Sequence, residues 1–264
     1  MRTLIVCEVE KLVRRKWIWV IFLSTPFLAY TAGSYFLWLN LLDSSSSVSP
    51  SLFPMFGLRQ NLYFICNIVV AVLVAAVYTE EFRGGQLRFL FLRRYSRGQI
   101  FFCKQFVIQL CILMLLLAFG ISLVAVGIVR LPLELSSLHS ALGYTVEYYI
   151  LAYASLVGIS CVFSFIAMYS KNVTYAIGIS LAYVLVSLLF DGLYLKLAAL
   201  FSYFPYLRDL ISYVLVPYMQ HTGLHTALSG SESALWAIAT VLIVNSFVFT
   251  WLAYRRFVAD DYMN

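Results

Sequence analysis

Charge is scarce in this 264-residue chain: only 11% of its residues are Asp, Glu, Lys or Arg, less than half the share of an ordinary soluble domain. With 62% hydrophobic residues, that scarcity excludes a water-soluble globule, because a fold of this length cannot hide so much apolar surface. Histidine is rarer still, with only His139, His221 and His225. His221 and His225 are four apart, but Gly223 lies between them and Thr222 follows His221 where zinc proteases carry Glu, so that metal pattern is missing. Five cysteines (Cys7, Cys66, Cys103, Cys111, Cys161) form no C-x-x-C pair, which removes the common metal and redox spacings and leaves small apolar packers. A G-x-x-x-x-G-K-[ST] loop is absent, so the chain does not cradle nucleotide phosphates in that way. A catalytic centre inside a bilayer needs a cluster of nucleophile, base or metal ligands. Here no apolar run holds a histidine or two acidic residues.

What is present is apolar length. A transmembrane helix needs about 20 mostly apolar residues, and the chain offers six candidates, at 17–39, 62–78, 105–129, 147–169, 173–190 and 234–254. The expected fold is an all-α integral membrane protein, one domain over 1–264. Residues 1–16 precede the first run. Ile5, Val9, Leu12 and Val13 mark one helical face, with Glu8, Lys11, Arg14 and Arg15 opposite, the pattern of an amphipathic helix lying in the headgroup plane. Between 193 and 231 the apolar stretches are too short to cross the core, and Pro205 and Pro217 interrupt them. A re-entrant helical hairpin at the outer leaflet is the expectation there.

The net charge of +6 does not point to nucleic acid, because the basic residues sit beside apolar runs. With the N-terminus inside, 14 of the 18 Lys and Arg lie on inner segments, leaving Arg59, Arg130, Lys196 and Arg208 outside. The positive-inside rule then gives a multi-pass protein of the plasma (inner) membrane with both termini cytoplasmic. The inner basic residues also face anionic membrane lipid.

The most informative segment is 79–104, TEEFRGGQLRFLFLRRYSRGQIFFCK. Glu80 and Glu81 are followed by Arg83, the flexible pair Gly84-Gly85, and Gln86. Then Arg88, Arg93, Arg94 and Arg97 surround an apolar run that includes Leu90 and Phe91, with Ser96 just before Arg97. Such a stretch at the inner face suits a docking helix, its apolar residues filling a cleft and its arginines pairing with rim carboxylates. The order of elements and this segment together resemble the permease subunits of type-two ABC exporters. The shared motif is an acidic residue (Glu80 or Glu81), Gly85, an apolar run at Leu90–Leu92, Ser96-Arg97 and Lys104 opening a span. Gln86 stands where that family usually has Thr, and Arg94 or Tyr95 where Pro is common. Peptide-toxin exporters of the phenol-soluble-modulin type and antimicrobial-peptide immunity permeases are the branches it most resembles.

The resemblance implies a separate nucleotide-binding ATPase subunit, which holds the ATP and magnesium, so that this chain carries no cofactor of its own. It also implies a second copy of the chain, or a close paralogue, across a shared pathway. Gly178 and Ala182 have small-x-x-x-small spacing that lets helices approach closely in lipid, and the resemblance places them at that contact. Ala154 and Gly158 share the spacing. The spans hold few polar groups, among them Asn67, Gln109 and Asn245, and tyrosines crowd the outer ends, among them Tyr148 and Tyr149. Asn67, Asn245, Tyr148 and Tyr149 are the candidate path residues, and so apolar a lining favours a hydrophobic or amphipathic cargo such as a peptide. The alternative functions are a passive channel or scaffold, which would not need an arginine-rich inner segment to bind an ATPase, and, less favoured, a membrane-embedded enzyme.

Overall fold

The computed structural model describes residues 2–42, 52–83, 96–130, 138–170, 172–189, 191–201, 203–230 and 232–259, and regular structure among these residues is helical throughout. In chain order the helices are α1 (Arg2–Val13), α2 (Lys16–Leu42), α3 (Phe53–Asn61), α4 (Asn67–Arg83), α5 (Arg97–Arg130), α6 (Leu138–Ser170) and α7 (Val173–Leu189). They continue as α8 (Asp191–Ala199), α9 (Pro205–Ser212), α10 (Val216–Tyr218), α11 (Leu224–Leu228) and α12 (Glu232–Ala259). Two single π-helical turns complete the set, Leu62–Cys66 between α3 and α4 and Met219–Gly223 between α10 and α11.

Among the described residues, five stretches are long and apolar enough to cross a membrane: Lys16–Leu41, Phe53–Thr79, Arg97–Arg130, Gly143–Ser170 and Glu232–Ala259. The run expected to be a sixth, 173–190, is α7, which has 17 residues and covers roughly 26 Å at about 1.5 Å per residue. Two boundaries move furthest. The second span begins at Phe53 rather than 62, because Pro54 in the first turn needs no amide partner and is already set for a helix. The third begins at Arg97 rather than 105. Ser96 and Gln99 cap it reciprocally: the Gln99 amide donates to Ser96 Oγ at 3.3 Å and the Ser96 amide to Gln99 Oε1 at 3.1 Å.

α4 and α6 are the inner helices, with α2, α5 and α12 around them. Lipid tails are as apolar as leucine, so helices here associate through close packing and interhelical hydrogen bonds. Gly158 on α6 supplies the first: a Cβ there would stand 2.9 Å from Leu242 on α12, so the small residue serves packing within the chain. Gln105 and Gln109 on α5 supply the second. Ser164 Oγ of α6 donates to Gln105 Oε1 at 3.1 Å, and Gln109 Nε2 donates to Ser160 Oγ at 2.9 Å. Pro26 interrupts the ladder of α2 and would orphan the carbonyl of Phe22. Thr25 Oγ1 donates to that carbonyl at 2.8 Å.

α1 is turned from its expected orientation. Leu4, Glu8 and Leu12 are buried, whereas Val6 and Val13 are exposed. Glu8 belongs to the buried face because Lys104 of α5 meets it, Nζ to Oε2 at 3.2 Å. The Trp19 indole then ties α1 to α2 by donating to the Val13 carbonyl at 2.8 Å.

The segment expected as one hairpin is a string of short pieces, α8 to α11, and both prolines begin helices: Pro205 opens α9, and Pro217 lies in the first turn of α10. The segment is sewn to the spans. Tyr206 Oη and Thr240 Oγ1 are 2.9 Å apart, Ser233 Oγ donates to Asp209 Oδ2 at 2.8 Å, and Tyr144 donates to the Leu228 carbonyl. Arg208 pairs with the buried Asp209 at 3.0 Å. The tyrosines in and near this segment differ in burial. Tyr203 and Tyr206 are exposed, whereas Tyr148, Tyr213 and Tyr218 are buried.

Candidate functional site

α1, α4, α5 and α12 come together around the two ends of the segment singled out in the sequence. The last turn of α4 holds the backbone of Glu80, Glu81 and Arg83. Gly84, Gly85, Gln86, Arg88, Leu90, Phe91, Arg93 and Arg94 lie outside the described residues. The chain resumes at Ser96, already engaged in the α5 cap, and Arg97 Nη1 donates to the Val258 carbonyl at 2.8 Å. That bond satisfies a carbonyl in the last turn of α12 and sets a cation at its negative end. Lys104 and Glu8 fasten α1 to α5. Whatever moves residues 84–95 therefore acts on α4 and α5 directly, and through α5 on α1 and α12.

The other expected site residues scatter. Gly178 and Ala182 are exposed on α7, and a Cβ at Gly178 would meet nothing within 4 Å. That face is open to a neighbouring helix. Tyr149 is half-buried and donates to the Pro54 carbonyl at 3.3 Å. It lines an apolar groove of about 760 Å³ between α5 and α6, together with Leu117, Ile121, Val124, Ile150 and Tyr153. A second groove of about 890 Å³, lined by Phe102, Val157, Ile243, Phe247, Trp251 and Tyr254, shares Ile150 and Tyr153 with the first. The two make one apolar track along α6. Tyr148 and Asn67 are fully buried elsewhere, and Asn245 on α12 is half-exposed and lines neither groove.

Asn67 instead belongs to a polar chain that sequence reasoning missed. Its Nδ2 donates to Gln220 Oε1 at 2.6 Å, and Gln220 Nε2 donates to Ser155 Oγ at 3.0 Å. Nearby, burial and then the Arg59 guanidinium hold His225 below the ordinary imidazole value. Burial raises the Tyr213 phenol, whose hydroxyl lies 3.0 Å from Thr226 Oγ1. The available signal for the polar chain was that polar side chains within apolar runs are seldom idle. Asn67 was visible in that way; Gln220 was not, because it lies between short helices.

The family model described as ABC-2 family transporter protein matches residues 4–187, from α1 to nearly the end of α7. No curated protein matches the chain. The match covers more than half the chain, over an all-helical structure with five membrane-length helices: this chain belongs to the ABC-2 family of transporter proteins and is the membrane component of an ABC transporter.

Proposed function

We propose that the chain is the permease of an ATP-driven exporter of hydrophobic or amphipathic molecules, peptides in particular, with α7 as a sixth span and 191–230 as an outer re-entrant segment. A separate nucleotide-binding ATPase, carrying ATP and magnesium, docks on residues 80–97 from the cytoplasm. The observation that carries this reading is the inner convergence: both ends of residues 84–95 run into helices that bond, through Arg97 and Lys104, to the chain's last and first helices. A push on that segment is thereby shared across the fold. The apolar track beside α6 supports the class of cargo, since it presents apolar side chains at bilayer depth and almost no polar ones.

A tagged chain extracted in mild detergent should recover a soluble ATPase. The pair, reconstituted in nanodiscs, should hydrolyse ATP faster when an amphipathic helical peptide is added. Recovery of the chain without any ATPase would overturn the reading and favour a passive channel or scaffold.

The open face of α7 supports a paired assembly through Gly178 and Ala182. Gly178→Cys should form a disulfide between two copies under mild oxidation, seen as a reducible dimer on a denaturing gel. Ser180→Cys, on the buried side of α7, should not. Equal yields from the two positions, or none from Gly178→Cys, would remove this face from the contact.

A further inference from the structure

We propose that Asn67, Gln220 and Ser155 form a latch through which the second span moves the outer segment, with the two π-helical turns as its joints. The proposal rests on the permease reading above and adds to it a route across the membrane.

α4 begins at Asn67 and ends at Arg83, where the inner segment starts. It is the lever any docked ATPase would grip. Immediately beyond its outer end lies the π turn Leu62–Cys66. Such a turn holds one residue more than the α-helical ladder accommodates, so the helix on one side can shift against the other by passing the extra residue along. The second π turn, Met219–Gly223, faces the first from the outer segment. The two meet ring to ring, Tyr63 against His221, edge-on with centroids 4.7 Å apart.

A directed run of hydrogen bonds crosses this junction. Asn67 Nδ2 donates both to the Tyr63 carbonyl at 2.8 Å, within the first π turn, and to Gln220 Oε1 at 2.6 Å, within the second. Gln220 Nε2 passes to Ser155 Oγ at 3.0 Å, and Ser155 ends the run on the Ala152 carbonyl at 2.8 Å. All three side chains are at most 1% exposed. At that depth no water competes for these bonds, so breaking one leaves a donor and an acceptor bare. The tie therefore holds while the π turn gives: when α4 shifts, Gln220 and its turn follow, and α3 stays. On its outer side the same piece of chain reaches α7, where Ser187 Oγ accepts from the Tyr218 amide at 3.2 Å. The junction is also incompletely satisfied in this arrangement, because buried Asn67 Oδ1 has no partner among the described residues.

The test reads motion at the outer segment. Cys7→Ser removes the one exposed thiol, and Ser229→Cys, exposed just after α11, reports the outer segment. The chain is reconstituted in nanodiscs with its ATPase, and alkylation of Ser229→Cys by a maleimide is timed with and without a non-hydrolysable ATP analogue. Allosteric couplings of ordinary size shift an equilibrium about 5- to 150-fold, so the rate should change at least about fivefold. In the paired variant Asn67→Leu/Gln220→Met the change should fall below about twofold, while ATPase recovery and nucleotide binding hold, because replacing both partners by apolar groups of similar shape keeps the core packed. The length-swapped pair Asn67→Gln/Gln220→Asn keeps a donor and an acceptor and should restore the response; a purely structural role would show no such restoration. An undiminished nucleotide response in Asn67→Leu/Gln220→Met overturns the latch. So does a wild-type complex whose outer segment ignores nucleotide, and there the permease reading stands, because the ATPase is still bound.

Discussion

The double variant Leu90→Asp/Phe91→Asp should insert in the membrane but neither retain the ATPase nor show peptide-stimulated hydrolysis. Interfaces draw most of their energy from a few buried apolar anchors, each worth about 2 kcal/mol or more on truncation. Two such losses, each aggravated by a carboxylate facing an apolar cleft, weaken binding by roughly a thousandfold or more. Arg88→Ala should be mild by comparison: an exposed ion pair at an interface rim is worth about 0.2–1 kcal/mol, a few-fold in affinity. The contrast separates docking from simple membrane attachment. If residues 80–97 only hold anionic lipid, each lost arginine weakens membrane contact by about 1 kcal/mol, and the Leu90 and Phe91 variants leave the ATPase in place. The measurement is recovery of the ATPase on the tagged chain, together with the hydrolysis rate of the reconstituted pair. Full recovery and full stimulation with both aspartates present would refute docking through this segment.

Lys104→Met should destabilise the chain far more than Lys104→Met combined with Glu8→Leu. Lys104 is 1% and Glu8 7% exposed, with Nζ and Oε2 3.2 Å apart. α5 has 34 residues, about 51 Å of helix against a hydrocarbon core of about 30 Å, so it is longer than a span needs, and α1 packs on its first turns. Removing the lysine alone leaves a carboxylate among Leu4, Leu12 and the side of α5, at a cost of about 3–5 kcal/mol. Removing both charges exchanges a desolvated pair for apolar contact, and such replacements are often neutral. Thermal melts in nanodiscs, followed by intrinsic tryptophan fluorescence with Trp17 and Trp19 close to the junction, give the two values. The pair has no special role if the single variant melts within about 1 kcal/mol of the native chain.

Much of this architecture was legible along the chain. Bilayer thickness sets a length, and apolar runs of that length are visible without knowing any contact. The five membrane-length helices fall on five of the six expected runs, with ends displaced where a cap or a proline decides: Ser96 with Gln99 at α5, Pro54 at α3. The family was legible for the same reason, since element order and the acidic, glycine and basic motif at 80–97 are properties of sequence. Legibility failed wherever a residue's role depends on a partner far along the chain. Glu8 reads as the polar side of an amphipathic helix until Lys104 is placed beside it. Gly158 and Gly178 carry the same spacing signal, yet one packs on Leu242 and the other faces outward.

By itself, then, the sequence determined that this is a multi-pass helical membrane protein, which segments are long enough to span, and which loops carry the positive charge. These depend on composition and on period along one strand of chain. Only the tertiary structure decided that Asn67 meets Gln220 across 153 residues, that two π turns face each other, and that α1 buries Glu8. The physical reason is the solvent. In water, periodicity separates the face of a helix that packs from the face that is wet. In lipid both faces are apolar, so rotation and axial register are set by interhelical hydrogen bonds and close contacts, and those exist only once the helices are side by side.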